Sequence, residues 1–218
     1  CGAAVLALNA AVAEQLNRFR EEVDALIAKG EAKERALFTV IKRCLHDCRD
    51  IRFDGNGYSE AWQQEAKKRG LDTETSVPLM IDQYLKTESV QMFGSTGVLN
   101  HAELLARSEV KWENYSMKLQ IESRVLGDLV INHVIPAAKR YQTILLQNVL
   151  SVKQVFSADE AAGLNEQDLL LIRRIENHAS AIVARVEEMN KERARANHID
   201  DQRERAITFH DQLVPLME

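Results

Sequence analysis

The sequence predicts an all-α protein, in which a region of short helices is followed by a bundle of long antiparallel helices. Turn-forming residues are scarce, since the 218 residues include 9 Gly and 3 Pro. A β-sandwich or barrel needs a turn about every 8–12 residues, which this composition does not supply. Apolar residues instead recur at intervals of three and four along most of the chain, as they do on one face of a helix. The longest such pattern begins near Asn100.

Residues 1–50 are predicted to form a helical hairpin. The first helix is expected from about Ala3 to Lys29, and Gly30 ends it. Its apolar face consists of Val5, Leu8, Val12, Leu16, Phe19, Val23, Leu26 and Ile27. The corresponding face of the second helix consists of Leu37, Val40, Ile41, Cys44, Leu45 and Cys48. A short link between two amphipathic helices favours antiparallel packing.

Residues 51–99 are predicted to contain a glycine-rich loop and short helices. The loop is Asp54-Gly55-Asn56-Gly57-Tyr58, the most turn-rich stretch of the chain. Ser59 is a good N-cap for a helix from Glu60 to Arg69. Two further short helices are expected near Pro78–Lys86 and Glu88–Phe93.

Residues 100–218 are predicted to form the long-helix bundle, which a capping box of Asn100 and Glu103 opens. Pro136 lies inside the helical pattern and lacks a backbone N–H, so we expect a kink or break there. A second break is expected from Ser157 to Gly163, before a charged helix that ends near Asn197.

Aromatic and charged residues of this bundle have simple structural interpretations. Trp112 and Tyr115 fit the helical pattern and are interpreted as bundle core rather than as a cofactor site. The Arg- and Glu-rich stretch from Arg185 to Arg205 is interpreted as a solvated helix face with pairs four residues apart.

Charge and cysteine content favour a cytoplasmic protein that binds neither nucleic acid nor membranes. The chain has 28 Lys and Arg against 33 Asp and Glu, a formal net charge of −5, whereas nucleic-acid-binding proteins usually show a basic excess. No stretch reaches the ~18 apolar residues of a membrane span, and no signal peptide opens the sequence. The three cysteines, Cys1, Cys44 and Cys48, fit a reducing compartment better than a disulfide framework.

The two ends of the sequence suggest a piece of a longer polypeptide. The chain begins at Cys1 without an initiator Met and is already helical in composition, and it closes at Glu218 without a polar tail. We therefore expect further coding sequence upstream.

No residue is predicted to act in catalysis or to bind a cofactor or metal. Cys44 and Cys48 lie one helical turn apart, as metal ligands can, but they also continue the apolar face of their helix. His46 points about 200° away from Cys44 on the helix. The six His show no metal-binding spacing, and no phosphate-binding glycine motif or nucleophile elbow is present.

The glycine-rich loop is the one candidate contact site, formed by Asp54, Gly55, Asn56, Gly57, Tyr58 and Trp62. Paired glycines let backbone amides converge on an anion, but the loop itself contains no Lys or Arg. The favoured interpretation is a tight connection whose Tyr58 and Trp62 pack over the adjacent helices. Binding of a nucleotide or regulatory anion stays open as an alternative.

The sequence resembles the C-terminal part of type III glutamine synthetases. The specific match is Arg52-Phe53-Asp54-Gly55-Asn56-Gly57-Tyr58-Ser59-Glu60-Ala61-Trp62, followed by Glu65-Ala66-Lys67-Lys68-Arg69-Gly70-Leu71. The opening Ala4–Leu16 is similar to the helix after the last active-site strand of that family. Later landmarks are Gly97-Val98-Leu99, Glu103-Leu104, Ala106-Arg107-Ser108-Glu109, Glu113-Asn114-Tyr115, Ile135-Pro136-Ala137-Ala138 and Tyr141-Gln142.

The resemblance implies a parent enzyme that joins ammonia to glutamate with ATP and Mg or Mn, through a γ-glutamyl phosphate, in a double-ring homo-oligomer. The catalytic, metal-binding and phosphate-binding residues of that family precede Cys1, so none is carried onto this chain. We expect a C-terminal helical segment that packs on the upstream catalytic domain and makes subunit contacts, without a complete active site. The alternative is a stand-alone helical scaffold or protein-interaction module without catalysis.

Overall fold

The computed structural model describes residues 2–218, so Cys1 lies outside the described residues. All regular secondary structure in this range is helical, which confirms the all-α prediction. The chain divides into two compact units, residues 1–108 and 109–218, and each is described separately below.

In the part of the first unit that the structure describes, five helices precede the long helix. They are α1 (Gly2–Ala28), α2 (Lys33–Asp47), α3 (Glu60–Lys68), α4 (Val77–Asp82) and α5 (Thr87–Ser95). Short 3₁₀ turns at Cys48–Ile51 and Gln83–Leu85 follow α2 and α4. Gly30 reverses the chain between α1 and α2 with φ of 95°, a conformation that favours glycine.

Two apolar clusters hold this unit together. Val23 of α1 packs with Ala36 and Val40 of α2. The opposite face of the first half of α1 packs on α5, where Ala10 and Phe93 are buried. Helix α1 is therefore held by different neighbours along its two halves.

A helix of 55 residues starts at the predicted capping box and continues through Pro136. It consists of α6 (His101–Leu129), a π turn (Val130–Val134) and α7 (Ile135–Val155). The capping box is confirmed, because the Glu103 amide donates to Asn100 Oδ1 at 2.9 Å and the Asn100 amide donates to Glu103 Oε2 at 2.8 Å. The remaining helices are α8 (Ala158–Asn197), α9 (Gln202–Thr208) and α10 (Val214–Met217), with a second π turn at Phe209–Leu213.

The predicted break at Pro136 is replaced by the first π turn. Proline lacks an N–H and its ring collides with the carbonyl four residues earlier in a regular α-helix. In the π turn the Ile135 amide donates to the Val130 carbonyl, five residues back, so the wider turn accommodates the proline without ending the helix. Pro215 follows the second π turn in the same way, where the Val214 amide donates to the Phe209 carbonyl.

The second predicted break is confirmed at Ser157, which lies between α7 and α8, but its extension to Gly163 is wrong, since Gly163 lies inside α8. Ser157 caps this helix through bonds from its amide and hydroxyl to Glu160 Oε2. Ala161 and Asn165 are buried on either side of the glycine. Their packing outweighs the roughly 1 kcal/mol that a glycine costs in a helix.

Within the second unit, α8 runs antiparallel to α6 and α7. Arg193 Nη1 donates to Ser123 Oγ at 3.4 Å, and Asn165 Nδ2 donates to the Val149 carbonyl at 3.3 Å, which fixes the register at both ends. A Cβ at Gly127 would lie in ordinary van der Waals contact with Met189, at 3.4 Å, so α6 and α8 lie close together at this position. The core consists of Leu119, Val186, Met189, Ala196, Phe209 and Leu213.

The two aromatic residues assigned to the bundle core lie where they were expected. Trp112 is buried with 2% of its surface exposed, and Tyr115 is half-buried against the core cluster. Among the described residues, no helix is both long and apolar enough to span a membrane.

Candidate functional site

The glycine-rich loop is held by its own side chains. Asn56 Oδ1 accepts the Tyr58 amide at 3.0 Å, forming an Asx turn. The Ser59 hydroxyl donates to the Asn56 carbonyl at 2.8 Å, and it also accepts the Trp62 amide at 3.2 Å to cap α3. The loop and the start of α3 therefore form one connected turn.

An aromatic and guanidinium stack lies beneath this loop. Phe53 and Trp62 stack with ring centroids 4.1 Å apart, and the Arg69 guanidinium lies 5.5 Å from the Trp62 ring centre. Arg69 also donates to the carbonyls of Asp50 at 3.3 Å and Arg52 at 3.0 Å. Arg69 thus ties the end of α3 to the segment that enters the loop.

Both Tyr58 and Trp62 were expected to pack over the adjacent helices, and Trp62 packs instead on Phe53 and Arg69. Tyr58 is 98% exposed, so the interpretation that it packs over the adjacent helices is wrong. The Asx turn directs the chain at Tyr58 outward, and the position beneath the loop is already filled by Phe53. The loop consequently presents an aromatic side chain at its tip.

A polar cleft of about 490 Å³ adjoins the loop, lined by Arg49, Asp50, Arg52, Asp54 and Arg69. Three arginines outside the loop are brought to it by the fold, a feature that the loop sequence does not reveal. Two carboxylates line the same cleft, and Arg49 Nε lies 3.5 Å from Asp50 Oδ1. Arg69 is occupied by backbone carbonyls, so anion binding by this loop stays a prediction.

The two cysteines of α2, Cys44 and Cys48, are both partly buried. Cys44 Sγ and Cys48 Sγ lie 3.9 Å apart, and burial, followed by the influence of Cys48, raises the pKa of the Cys44 thiol. A raised pKa disfavours the thiolate that binds metals. His46 instead lies 3.4 Å from Asp47 Oδ1.

Residues 2–218 contain no group of three His, Cys, Asp or Glu side chains placed to hold a metal ion. The divalent metal and the ATP that the family resemblance implies are therefore assigned to no side chain of these residues. No step of phosphoryl transfer is assigned to side chains of this chain.

A polar contact in the second unit was not predicted from sequence. Tyr115 Oη lies 2.9 Å from His210 Nδ1, in the second π turn. Burial, and then the charges of Asp211 and Glu122, raise the pKa of Tyr115. The two residues lie 95 positions apart, and no local pattern links them.

The apolar face of α1 is divided between a buried and an exposed half. Arg43 of α2 pairs with Glu22 of α1 across the hairpin. Because α2 ends four residues later, at Asp47, it reaches only to about the middle of α1. Beyond that level no helix among the described residues of the first unit covers the apolar face. The exposed fractions there are 54% for Val5, 65% for Leu8, 50% for Val12 and 60% for Leu16.

Uncovered apolar stripes of this kind are typical of helical domains that pack against other protein. The family model described as the glutamine synthetase C-terminal domain matches residues 36–153, more than half of the chain. The chain belongs to that family.

Three curated relatives are similar to this chain. A glutamine synthetase of Bacteroides fragilis (strain YCH46) is 41% identical over 218 residues, all of this chain and 30% of the relative. A type-3 glutamine synthetase of Dictyostelium discoideum is 32% identical over 147 residues, 67% of this chain and 20% of the relative. A glutamine synthetase of Butyrivibrio fibrisolvens is 27% identical over 147 residues, covering 65% of this chain and 21% of the relative. The chain thus spans less than a third of each relative's length.

Proposed function

We propose that this chain is the C-terminal helical region of a type III glutamine synthetase, an ATP-dependent glutamate–ammonia ligase of nitrogen assimilation. The observation that carries the proposal is the match of the whole chain to 30% of a glutamine synthetase. In this proposal the ATP and the Mg or Mn are bound by the upstream part of the same polypeptide. The chain contributes packing and subunit contacts in a cytoplasmic homo-oligomer.

The exposed half of the α1 face is the surface that packs on the upstream catalytic domain. Fully burying a Val or Leu side chain contributes ~1.5–3 kcal/mol. The four side chains from Val5 to Leu16 are about half exposed, so covering them contributes roughly 3–6 kcal/mol. This free energy of burial is enough to hold α1 in place against a second domain.

The glycine-rich loop is proposed as a second contact. Tyr58 projects from a turn that its own hydrogen bonds make rigid. A rigid, exposed aromatic side chain loses little conformational entropy on binding, which suits an anchor at a protein interface. The upstream domain or a neighbouring subunit is the partner expected to receive it.

A chimera tests the proposal. This chain replaces the matching segment of the Bacteroides fragilis relative, and glutamine synthesis is measured for the chimera and for the 218-residue chain alone. We expect activity in the chimera and none in the isolated chain. Activity of the isolated chain, or an inactive chimera that folds and assembles, contradicts the proposal.

A pair of chimera variants tests the α1 contact. Leu8→Asp combined with Leu16→Asp places two charges on the exposed face and is expected to reduce assembly and activity together, by about tenfold or more. Asn17→Asp, exposed on the other side of α1, is the matched control and is expected to behave like the parent chimera. Equal effects of the two changes argue against this face as the contact.

A further inference from the structure

The seam between α6 and α8 holds an arginine side chain in a partly buried position. Ser123 of α6 is fully buried, and its hydroxyl donates to the Gln120 carbonyl at 3.2 Å. The same hydroxyl oxygen accepts Arg193 Nη1 of α8 at 3.4 Å. A neutral partner 70 residues away in the sequence therefore fixes the Arg193 guanidinium against α6.

A second arginine lies beside this guanidinium. Arg124 is the next residue after Ser123, and it is exposed. Burial, and then the charge of Arg124, lowers the pKa of Arg193, which shows that the two cations lie close enough to repel each other. Like charges that are held close together destabilise the folded chain unless an opposite charge joins them.

Within the described residues, neither Arg124 nor Arg193 forms an ion pair with a carboxylate. Asp128 lies one helical turn after Arg124, but its Oδ1 accepts the side-chain amide of Asn132 at 2.7 Å. Glu192, the residue before Arg193, pairs with another arginine of α8 at 2.7 Å. The two guanidiniums thus carry two positive charges that no ion pair in this part of the chain balances.

The hydrogen-bonding capacity of Arg193 is also largely unused. A guanidinium has five N–H donors, and the bond to Ser123 uses one of them. Its side chain makes no other hydrogen bond within residues 2–218. A phosphate dianion carries two negative charges and several acceptor oxygens, so it matches two guanidiniums better than a single carboxylate does.

We propose that Arg124 and Arg193 form a binding site for a phosphate dianion, which is either free phosphate or the phosphate group of a small metabolite. Ser123 positions one guanidinium, and Arg124 supplies the second charge from the same turn of α6. A bound dianion replaces the repulsion between the two arginines with two attractions, so binding stabilises the second unit. The site lies within residues 109–218 and does not depend on the role proposed for the chain in the ligase.

Thermal unfolding of the 218-residue chain tests this site. Circular dichroism melts are compared in sodium phosphate and in sodium chloride of equal ionic strength, at a slightly alkaline pH where phosphate is mainly a dianion. We expect phosphate to raise Tm by about 3 °C or more when its concentration is about tenfold above its dissociation constant. Sodium acetate supplies one negative charge per ion and is expected to leave Tm as it is in chloride. Equal effects of acetate and phosphate overturn the proposal.

Three variants separate binding at the site from the general stabilising effect of phosphate on folded proteins. Arg124→Gln and Arg193→Gln are each expected to remove most of the rise in Tm. Arg195→Gln is the matched control, because Arg195 lies on the same helix as Arg193 but pairs with Glu192, and this variant is expected to keep the rise. Equal responses of the three variants, whether the rise is kept or lost, contradict the proposal.

Chemical modification gives a second test that does not depend on stability. Phenylglyoxal reacts with arginine side chains, and peptide mass spectrometry locates the modified residues. At the same phosphate concentration we expect modification of Arg124 and Arg193 to slow by about fivefold or more, while Arg195 reacts as it does in chloride. Glycerol phosphate distinguishes the two sources, since stronger protection by this ester identifies a metabolite phosphate and equal or weaker protection identifies free phosphate. Unchanged rates at Arg124 and Arg193 in both solutions overturn the inference.

Discussion

Gly55 lies where the glycine-rich loop folds back on Phe53. A Cβ at this position would lie 2.6 Å from Phe53 Cζ, so any larger residue forces the ring away from Trp62. Gly57, two residues later, has no heavy atom within 4 Å of the corresponding Cβ. The two glycines therefore have different roles, although the sequence presents them as a pair.

Gly55→Ala is expected to lower the free energy of unfolding by about 0.5–1.5 kcal/mol, because the Phe53–Trp62 stack is disturbed. Gly57→Ala is the matched control and is expected to be neutral or slightly stabilising, since its alanine meets no obstacle and restricts the unfolded chain. Urea unfolding followed by circular dichroism measures both. Equal destabilisation by the two changes means that the stack does not depend on Gly55.

The stack of Phe53, Trp62 and Arg69 under the loop shows which residue contacts can be predicted from the sequence and which cannot. Ser59 as N-cap and Trp62 as a packed residue follow from local pattern, and both are found. The position of Arg69 depends on contacts with Asp50 and Arg52, 19 and 17 residues away, which no local rule provides. Tyr58 was misplaced because turn chemistry shows that a loop exists but not which side chain fills the space beneath it.

At the scale of elements, helix starts were easier to predict than helix interruptions. Capping boxes are local, so the start at Asn100 follows from four residues. The breaks expected at Pro136 and Gly163 rest on local penalties of ~1–3 kcal/mol. Packing of α8 along α6 and α7 outweighs those penalties, and a π turn accommodates the proline. Such long-range packing is not visible in the residues that carry the penalty.

For the antiparallel pair of α7 and α8, a substitution at Asn165 tests how much a buried, unpaired acceptor costs in stability. Its side chain is buried, and its Oδ1 has no hydrogen-bond partner among the described residues. Asn165→Leu keeps the branched shape and removes this unpaired acceptor, at the loss of one 3.3 Å bond to the Val149 carbonyl, and is expected to stabilise the protein by ~0.5–1.5 kcal/mol. Thermal unfolding of the 218-residue chain measures the change.

Gln142→Leu is the control for Asn165→Leu. Gln142 is also buried, but its amide nitrogen donates to both the Ile172 carbonyl and Glu176 Oε2. Removing a satisfied amide leaves those acceptors without this donor, so we expect destabilisation of ~1–2 kcal/mol. If both leucine variants shift stability in the same direction, hydrogen-bond satisfaction does not explain the difference between the two sites.

At the scale of the whole molecule, the second unit has a core of its own. Leu119, Val186, Met189, Ala196, Phe209 and Leu213 all lie between residues 109 and 218. Phe209 and Leu213 come from the second π turn, so the end of the chain completes the core begun by α6 and α8. A core contained within one stretch of sequence is the physical requirement for independent folding.

A fragment of residues 100–218, which retains the Asn100 capping box, is therefore expected to be helical and to unfold in a single cooperative transition. Phe209→Ala removes a fully buried ring from the core of that fragment and is expected to cost ~3–5 kcal/mol. Tyr58→Ala in the 218-residue chain changes a residue outside the fragment and serves as a comparison, expected to alter the free energy of unfolding by less than ~0.5 kcal/mol. Circular dichroism melts check both expectations. A fragment that melts gradually, with Phe209→Ala causing no further loss, would mean that the core of residues 109–218 does not fold without the first unit.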